Sequence, residues 1–480
     1  MRSEKSAEAV VVSKRRAERE GTEYALSMSE VMHQMSETTE RGVVRQGETL
    51  PESIRDETTL PRQQFKAAGQ GLLMQVLAKE NMQRAWQRVK ANKGSAGVDG
   101  LSIIQTAKLL KTKWPELREQ LQTGLYRPHP VRRVSIPKPD GSERELGIPT
   151  VTDRLIQQAL LQVLQQRIDP TFSEHSYGFR PKRCAQDAVL AAQRYAQAGY
   201  QVVVDVDLSK FFDRVNHDIL MDRLGKRIAD KEILQLIRSY LNAGVMDGGV
   251  VLARQDGTPQ GGPLSPLLAN VLLDEVDKAL EQRGYRFARY ADDCNVYVRS
   301  QRAGERVMAW LRQLYNKLHL QINEAKSAVG SVFGRKFLGY SLWLNRAGEV
   351  KRAVADKALV KFKQRVRQQT RRIAGCSIAD VVKALRSYLL GWKGYFRYSQ
   401  TPSVWRKLDK WIRHRLRAIQ LKHWKRGPRI YAALRKMGAA EQIARKVASC
   451  GRSWWRGSVL YLNKILTIAY FDQLGLPRLS

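Results

Sequence analysis

The chain has 480 residues, with 83 Lys and Arg against 46 Asp and Glu, a formal net charge of +37. Such an excess gathers polyanions and binds phosphate without sequence preference, so nucleic acid is the expected partner. Four scattered cysteines fit a reducing cytoplasm, and no apolar run approaches the ~18 residues that a membrane span requires, so no membrane partner is expected.

The first stretch, residues 1–66, is polar and rich in Glu, Arg, Ser and Thr, with one short apolar run at Ala9-Val10-Val11-Val12. It lacks the apolar region of a signal peptide, and its acids argue against a transit peptide. A disordered or loosely helical extension is the expectation. The remaining roughly 415 residues suit two or three coupled lobes better than one core.

Ile136 to Arg144 reads as a hairpin whose turn is Asp140-Gly141. Lys138 and Arg144 flank that tip, where two cations could close on a triphosphate; an ordinary basic hairpin is the alternative. Next in order comes Ser176-Tyr177-Gly178-Phe179-Arg180-Pro181. Gln201 to Val206 is a β-branched run that delivers Asp207 at its end, followed by Leu208-Ser209-Lys210-Phe211-Phe212-Asp213. The Gly257-Thr258-Pro259-Gln260-Gly261-Gly262 loop carries little side-chain bulk, so its backbone can approach a ligand closely.

Tyr290-Ala291-Asp292-Asp293 lies between β-rich arms, Arg286–Arg289 before it and Cys294–Val298 after it. The pattern predicts a strand, a tight turn carrying Asp-Asp and a returning strand. Adjacent carboxylates repel unless a cation sits between them and their partners, and Mg²⁺ suits oxygen ligands of which the protein supplies few. A solvated acidic turn is the alternative. Asp207 in a matching setting favours the metal reading: Asp207, Asp292 and Asp293 would surround two Mg²⁺ ions, with Mn²⁺ as a substitute, as in phosphoryl transfer. Asp205 is the other choice for the third ligand. Asn323-Glu324-Ala325-Lys326 and Phe337-Leu338-Gly339-Tyr340 follow.

Beyond the strands the charge concentrates. Residues 346–456 hold 30 Lys and Arg against 5 Asp and Glu, interleaved with Trp392, Trp405, Trp411, Trp424, Trp454 and Trp455. RNA-binding surfaces use cations for phosphates and aromatics for bases, while a helix core with a solvated face has the same composition. Trp405, Leu408, Ile412, Leu416 and Ile419 recur at helical spacing and predict a buried stripe. Arg406, Lys407, Lys410, Arg413 and Arg417 then project to a wet basic face.

Taken in order, these segments resemble the reverse transcriptases encoded by bacterial group II introns, also called maturases. The resemblance runs from about Leu72 onward. It also takes in Asn92-Lys93-Gly94-Ser95-Ala96-Gly97-Val98-Asp99-Gly100 and Gly391-Trp392-Lys393-Gly394-Tyr395-Phe396. It implies an α+β right-hand polymerase, with fingers and palm over 67–345, a helical thumb or maturase region over 346–420 and a small basic DNA-binding segment over 421–480. It also implies a bacterial cytoplasmic setting.

In that family Gln260 lines the nucleotide site, and Phe212, five residues after Asp207, packs against the sugar and excludes a 2′-hydroxyl; a core Phe is the alternative. Lys326 would protonate the leaving pyrophosphate, or be a solvated lysine. Lys393, Arg397, Arg406, Lys410, Arg413 and Arg417 would hold RNA. The implied partners are group II intron RNA, an RNA template with a DNA primer, target DNA and dNTPs, and the implied activities are DNA synthesis on RNA, splicing assistance and retrohoming. No Cys/His cluster suggests the family's zinc-dependent endonuclease, so neither that domain nor zinc is expected. A domesticated or defence-associated reverse transcriptase without an intron partner, or a maturase that only assists splicing, is the other reading.

Overall fold

The computed structural model describes residues 71–137, 143–247, 250–252, 256–258, 261–371, 375–449, 455, 458 and 461–480. The extension expected over residues 1–66 therefore lies outside the described residues. Helices α1 (Leu72–Val76), α2 (Lys79–Asn92) and α3 (Ile103–Gln122) open the described chain. Helix α3 starts at a capping box, in which the Ser102 hydroxyl and the Gln105 side chain each accept from the other's backbone N–H. Strands β1 (Val131–Pro137) and β2 (Glu143–Ile148) form the expected antiparallel hairpin, with Pro137 opposite Glu143. Strands β4 (Val245–Asp247) and β5 (Val250–Leu252) complete this sheet in the order β2-β1-β4-β5.

The second sheet positions the acids. Its order is β6-β7-β3-β8, all neighbours antiparallel: β3 is Val202–Val206, β6 Arg286–Tyr290, β7 Asp293–Val298 and β8 Ala328–Ser331. Side chains alternate between its faces. Val204, Val206, Phe287, Cys294, Val296 and Val298 join the main core, shared with helices α4 (Val151–Ile168), α8 (Ser265–Gln282) and α9 (Gln301–Lys317). Val203, Ala288 and Tyr297 point the other way, against helix α5 (Ala185–Gln197). The sequence signal for this sheet was its β-branched and apolar runs. The period-2 division between two cores explains why those runs have few polar interruptions: both faces are covered.

A third sheet, β9 (Lys336–Phe337), β10 (Tyr340–Leu344) and β11 (Val350–Val354), lies beyond it. This corrects the expectation that the chain is helical from Arg346. Asn345 accepts from the backbone N–H groups of Ala347 and Glu349, closing a turn that returns the chain as β11. Helices α10 (Asp356–Gln369), α11 (Ile378–Phe396) and α12 (Pro402–Trp424) follow, then α13 (Gly427–Lys436), α14 (Glu441–Ser449) and α15 (Ile468–Gln473). The division expected between residues 420 and 421 falls inside α12.

These helices share one core. Phe362, Leu385, Leu389, Ile412, Leu416, Ile430, Leu462 and Phe471 belong to it, together with Val189 of α5 and Tyr340 of β10. Trp405 is buried as the stripe predicted, and Trp392 packs edge-on to it at 5.1 Å. The last residues are held by Asp409, whose carboxylate accepts from the backbone N–H groups of Leu479 and Ser480. No helix among the described residues is long and apolar enough to cross a membrane. Phe362 has no exposed surface and its ring centroid is 4.3 Å from that of Trp392. Phe362→Ala is expected to destabilise this helical part by about 3–5 kcal/mol, read by chemical denaturation followed through tryptophan fluorescence.

Candidate active site

Tyr290 pairs with Asp293, which leaves Ala291 and Asp292 as a two-residue turn. Ala291 has φ 58, the positive value that such turns demand at their first central position. A residue with a Cβ is strained there, so the surroundings must hold it.

Arg289 does much of this holding. It is fully buried, and its guanidinium donates to both carboxylate oxygens of Asp277 on α8, to the Asn270 side-chain oxygen at 2.9 Å and to the Ser176 hydroxyl at 2.8 Å. The same group donates to the carbonyl of Ala291 at 2.9 Å. Burial opposes the Arg289 charge, but the Asp277 carboxylate outweighs it and holds the guanidinium above its ordinary pKa. For Asp277 burial exceeds the attraction and pushes the carboxyl up. With every donor edge of Arg289 engaged, the charged pair is the state the geometry supports. On the outer side, residues 175–178 run along β6, with the Tyr177 N–H donating to Arg289 and the Arg289 N–H to His175. Gly178 presses on the turn: a Cβ there would lie 2.2 Å from the Ala291 nitrogen.

Residues paired across antiparallel strands share a face. Tyr290 and Asp293 therefore stand on the face of Val203, Asp205 and Tyr297, away from the main core. Asp207 lies one residue past β3. Its backbone N–H donates to the Ser327 hydroxyl at 3.0 Å and its carbonyl accepts from the Asn323 N–H at 2.8 Å, so the Asn323–Ser327 segment brackets it. Lys326 Nζ is 3.6 Å from the Asp207 carboxylate. Asp205, the alternative ligand, faces Arg335 at 3.5 Å, and burial followed by Asp207 pushes its carboxyl up against that attraction.

The acids expected from sequence are thus brought together. Burial, then the Asp292, Asp207 and Asp205 carboxylates, push Asp293 up to about 6. By its surface area the Asp293 side chain is exposed, so repulsion among the like charges, rather than burial, is the firmer cause of this rise. Carboxylate oxygens that repel one another in this way are the ligand chemistry of a hard divalent cation. Among the described residues no three His, Cys, Asp or Glu side chains are gathered closely enough to hold a metal ion by themselves.

The nucleotide-pocket residues divide. Phe212 is half-buried, packed edge-on to Phe211 at 5.1 Å, and its carbonyl accepts from the Thr258 N–H at 2.7 Å. Gly257, at φ 91, docks against the carbonyls of Phe212 and Asp213, and buried His217 donates to the Gly257 carbonyl at 2.7 Å. Lys138, Gln260 and the Arg144 side chain lie outside the described residues.

Of the residues expected to hold RNA, Arg397, Arg406 and Lys410 are exposed. Arg413 is half-buried, and desolvation lowers its pKa. Lys393 donates to the Arg478 carbonyl at 2.8 Å. Arg417 is a correction. It is buried rather than on a wet face, donates to the Leu466 carbonyl at 2.9 Å and lies over the Phe471 ring, and desolvation followed by Arg413 pushes it down to about 10. The stripe reading allowed α12 one covered side; residues 462–479 cover a second. Sequence reasoning missed the exposed Lys357, Lys361 and Arg365 on α10, although their four-residue spacing was a signal. It also missed Arg289, whose signal was an acid, Asp277, among the buried positions of α8.

Residues 136–342 match the family described as reverse transcriptase (RNA-dependent DNA polymerase), and residues 359–438 match the group II intron maturase-specific domain. A palm sheet with acids at its hairpin, inside the first match, defines a reverse transcriptase domain. Protein YkfC of Escherichia coli (strain K12) is 36% identical over 220 residues, 45% of this chain and 58% of its own length. Group II intron-encoded protein LtrA of Lactococcus lactis subsp. cremoris is 33% identical over 257 residues, 53% of this chain and 41% of its own. The chain spans about half the length of these curated relatives. A chain of the solved partial Cas6-RT-Cas1–Cas2 complex is 25% identical, covering 52% of this chain and 43% of its own, with a TM-score of 0.34, too low to bear on the fold. The reverse transcriptase domain is joined to a maturase domain, and the chain is homologous to group II intron-encoded proteins.

Two outcomes follow. Arg289→Met leaves Asp277 buried and unpaired and is expected to cost about 3–5 kcal/mol, with Asp277→Leu in the same chain recovering most of it, measured by denaturant titration. Folded Asp293 takes up its proton near pH 6, against an ordinary value of 3.8. In EDTA, its contribution is therefore fully present below 3.8 and lost as pH rises through 6. Thermal melting across that range is expected to show this slope in the wild type and to lose it in Asp293→Asn.

Proposed function

We propose that the chain is an RNA-directed DNA polymerase that also binds its group II intron RNA, assists its splicing and copies the intron into DNA during retrohoming. What supports this reading is the mutual proximity of Asp207, Asp292 and Asp293 at the end of the sheet, within a chain that joins a reverse transcriptase domain to a maturase domain. The division into fingers and palm, helical thumb and basic DNA-binding segment belongs to the same reading.

Asp207, Asp292 and Asp293 would hold two Mg²⁺ ions, or Mn²⁺, with water and dNTP phosphates completing the ligand sets. Bound there, the ions would supply Lewis-acid stabilisation of the attacking primer oxygen and the leaving pyrophosphate. The remaining steps belong to the chain's own residues. Phe212, held from behind by the Thr258 N–H, would press on the sugar of the incoming nucleotide and exclude a 2′-hydroxyl. Lys138 and Arg144 would close on the triphosphate, and Gln260 would line its site. Lys326, standing beside Asp207 in the absence of substrate, would turn to the pyrophosphate and donate a proton.

Exposed Arg397, Arg406 and Lys410 would bind intron RNA by their charge, and the +37 excess would bring target DNA and the primed template to the same protein. Lys393, Arg413 and Arg417 would act at most through the packing of the helices that carry the exposed cations, since Lys393 and Arg417 bond to the chain's own carbonyls.

Primer extension on an RNA template with dNTPs and Mg²⁺ tests this directly, alongside intron splicing at low Mg²⁺. Asp292→Ala with Asp293→Ala is expected to abolish DNA synthesis, by at least about a thousandfold given what such charge stabilisation supplies, while splicing assistance is kept. Absence of synthesis by the wild type on every primed template would overturn the polymerase and leave an RNA-binding protein. Synthesis without any effect on splicing would leave a reverse transcriptase that has no intron partner.

A further inference from the structure

Helix α5 is covered on two sides. Ala188, Ala191 and Ala192 pack with Val203, Ala288 and Tyr297 of the sheet that carries the acids. Gln186, Gln193 and Gln197 recur at intervals of seven and four residues, which sets them on one side of the helix, away from those alanines. All three bond to the chain beyond the sheet. Gln186 donates to the Tyr395 carbonyl at 2.9 Å and Gln193 to the Val350 carbonyl at 2.6 Å, while Gln197 accepts from the Val350 N–H at 2.7 Å. Val350 belongs to β11, the end strand of its sheet, so side-chain amides occupy an edge that a neighbouring strand would otherwise take.

Two residues further along β11, Arg352 gathers a third element into this contact. Its backbone N–H donates to the Gln400 side-chain oxygen at 3.1 Å, and its carbonyl accepts from the Gln400 N–H at 2.8 Å. Its guanidinium donates to the Gln193 side-chain oxygen and, through Nε, to the Tyr398 carbonyl at 2.8 Å. The Gln193 and Gln400 amides meet at 3.2 Å. Arg352 therefore ties together α5, β11 and residues 397–401, the connection between α11 and α12. Desolvation lowers its pKa, and among the described residues its acceptors are a side-chain amide and a backbone carbonyl rather than a carboxylate.

We infer that Arg352 is a positioning residue: with Gln193 and Gln400 it sets the angle of α11 and α12, the thumb helices, to the palm, and so how long the enzyme stays on a primed template. The effect on synthesis rests on the polymerase reading; the joint itself does not. Covering the edge of β11 accounts for Gln197 and for the backbone bonds of Gln400, but not for a guanidinium that reaches from α5 to Tyr398. The joint lies on the side of α5 opposite the acid-bearing sheet, so a turn there moves the helices without touching the carboxylates. Its bonds to neutral oxygens can break and re-form without stranding a buried carboxylate, unlike the pair between Arg289 and Asp277. And exposed Arg397 and Arg406 stand just before and after the segment that Arg352 holds, so a small rotation displaces both.

The test reads the angle and its consequence separately. Spin labels at Lys317→Cys on α9 and Lys407→Cys on α12, both exposed positions, report the distance between the two parts in the free protein once the other accessible cysteines are serine. The wild type is expected to give one narrow distance distribution and Arg352→Met a broadened one. On a DNA primer annealed to an RNA template, with a trap for released enzyme, the product length of Arg352→Met is expected to fall about tenfold, while the rate and amplitude of the first nucleotide addition stay within about twofold. Gln193→Leu is expected to act alike, and the double variant no more strongly than either single one, because each breaks the same joint. Wild-type distances and product lengths in Arg352→Met, or an equal fall in the first addition rate, overturn the inference. Misfolding would show as lost amplitude, and Gln193→Leu, which removes no charge, then decides by the same criteria. Because distances are read without catalysis, a wild type that makes no DNA on any primed template overturns the polymerase reading, and the distances still decide the joint.

Discussion

A buried charge, Arg289, sits where the palm sheet, helix α8 and the 175–178 segment meet. Taking a guanidinium and a carboxylate out of water is unfavourable, and hydrophobic residues of like size would pack there at least as well. What they could not do is hold the Ala291 carbonyl while also fixing Asn270 and Ser176. The turn that carries Asp292 and Asp293 is strained at Ala291 and flanked by carboxylates that repel one another. Left to itself it would relax away from the geometry that brings those acids together. The pair between Arg289 and Asp277 ties it to the most buried helix of the domain, so the electrostatic strain of the site is borne by the core.

The same logic operates around Asp207. It lies just beyond the end of a strand buried on both faces, and the Asn323–Ser327 segment clamps its backbone from the adjoining β8 connection. Both halves of the acid cluster are therefore held through backbone hydrogen bonds and buried partners, while the Asp207 carboxylate faces the exposed Lys326. A surface ion pair of that kind is weak and readily exchanged for another partner.

In the helical part, one helix is covered on two sides. Helix α12 buries the Trp405 to Ile419 stripe and, on a second side, receives the chain's last described segment through Asp409 and Arg417. This redistributes the positive charge. Some of the cations counted in residues 346–456 are internal fasteners to backbone carbonyls, while α10 and the start of α12 carry exposed ones. A charge count measures how many cations a segment has and is blind to which of them already have an acceptor.

The sequence by itself determined the strand, turn and strand around Tyr290-Ala291-Asp292-Asp293, the β-branched run into Asp207, the hairpin of residues 136–144 and the stripe from Trp405 to Ile419. These are local patterns, set by periodicity and turn chemistry over fewer than about twenty residues. The order of its motifs also carried the family. Only the tertiary structure decided that Arg289 holds the turn, that Gly178 must be glycine, that β11 returns after Asn345 and that Arg417 is inside. Each of those depends on a partner far along the chain or on the covering of a second helix face, and neither leaves a periodic trace in the sequence. Residue type tells what a side chain can bond to; only the fold tells whether that partner has been supplied.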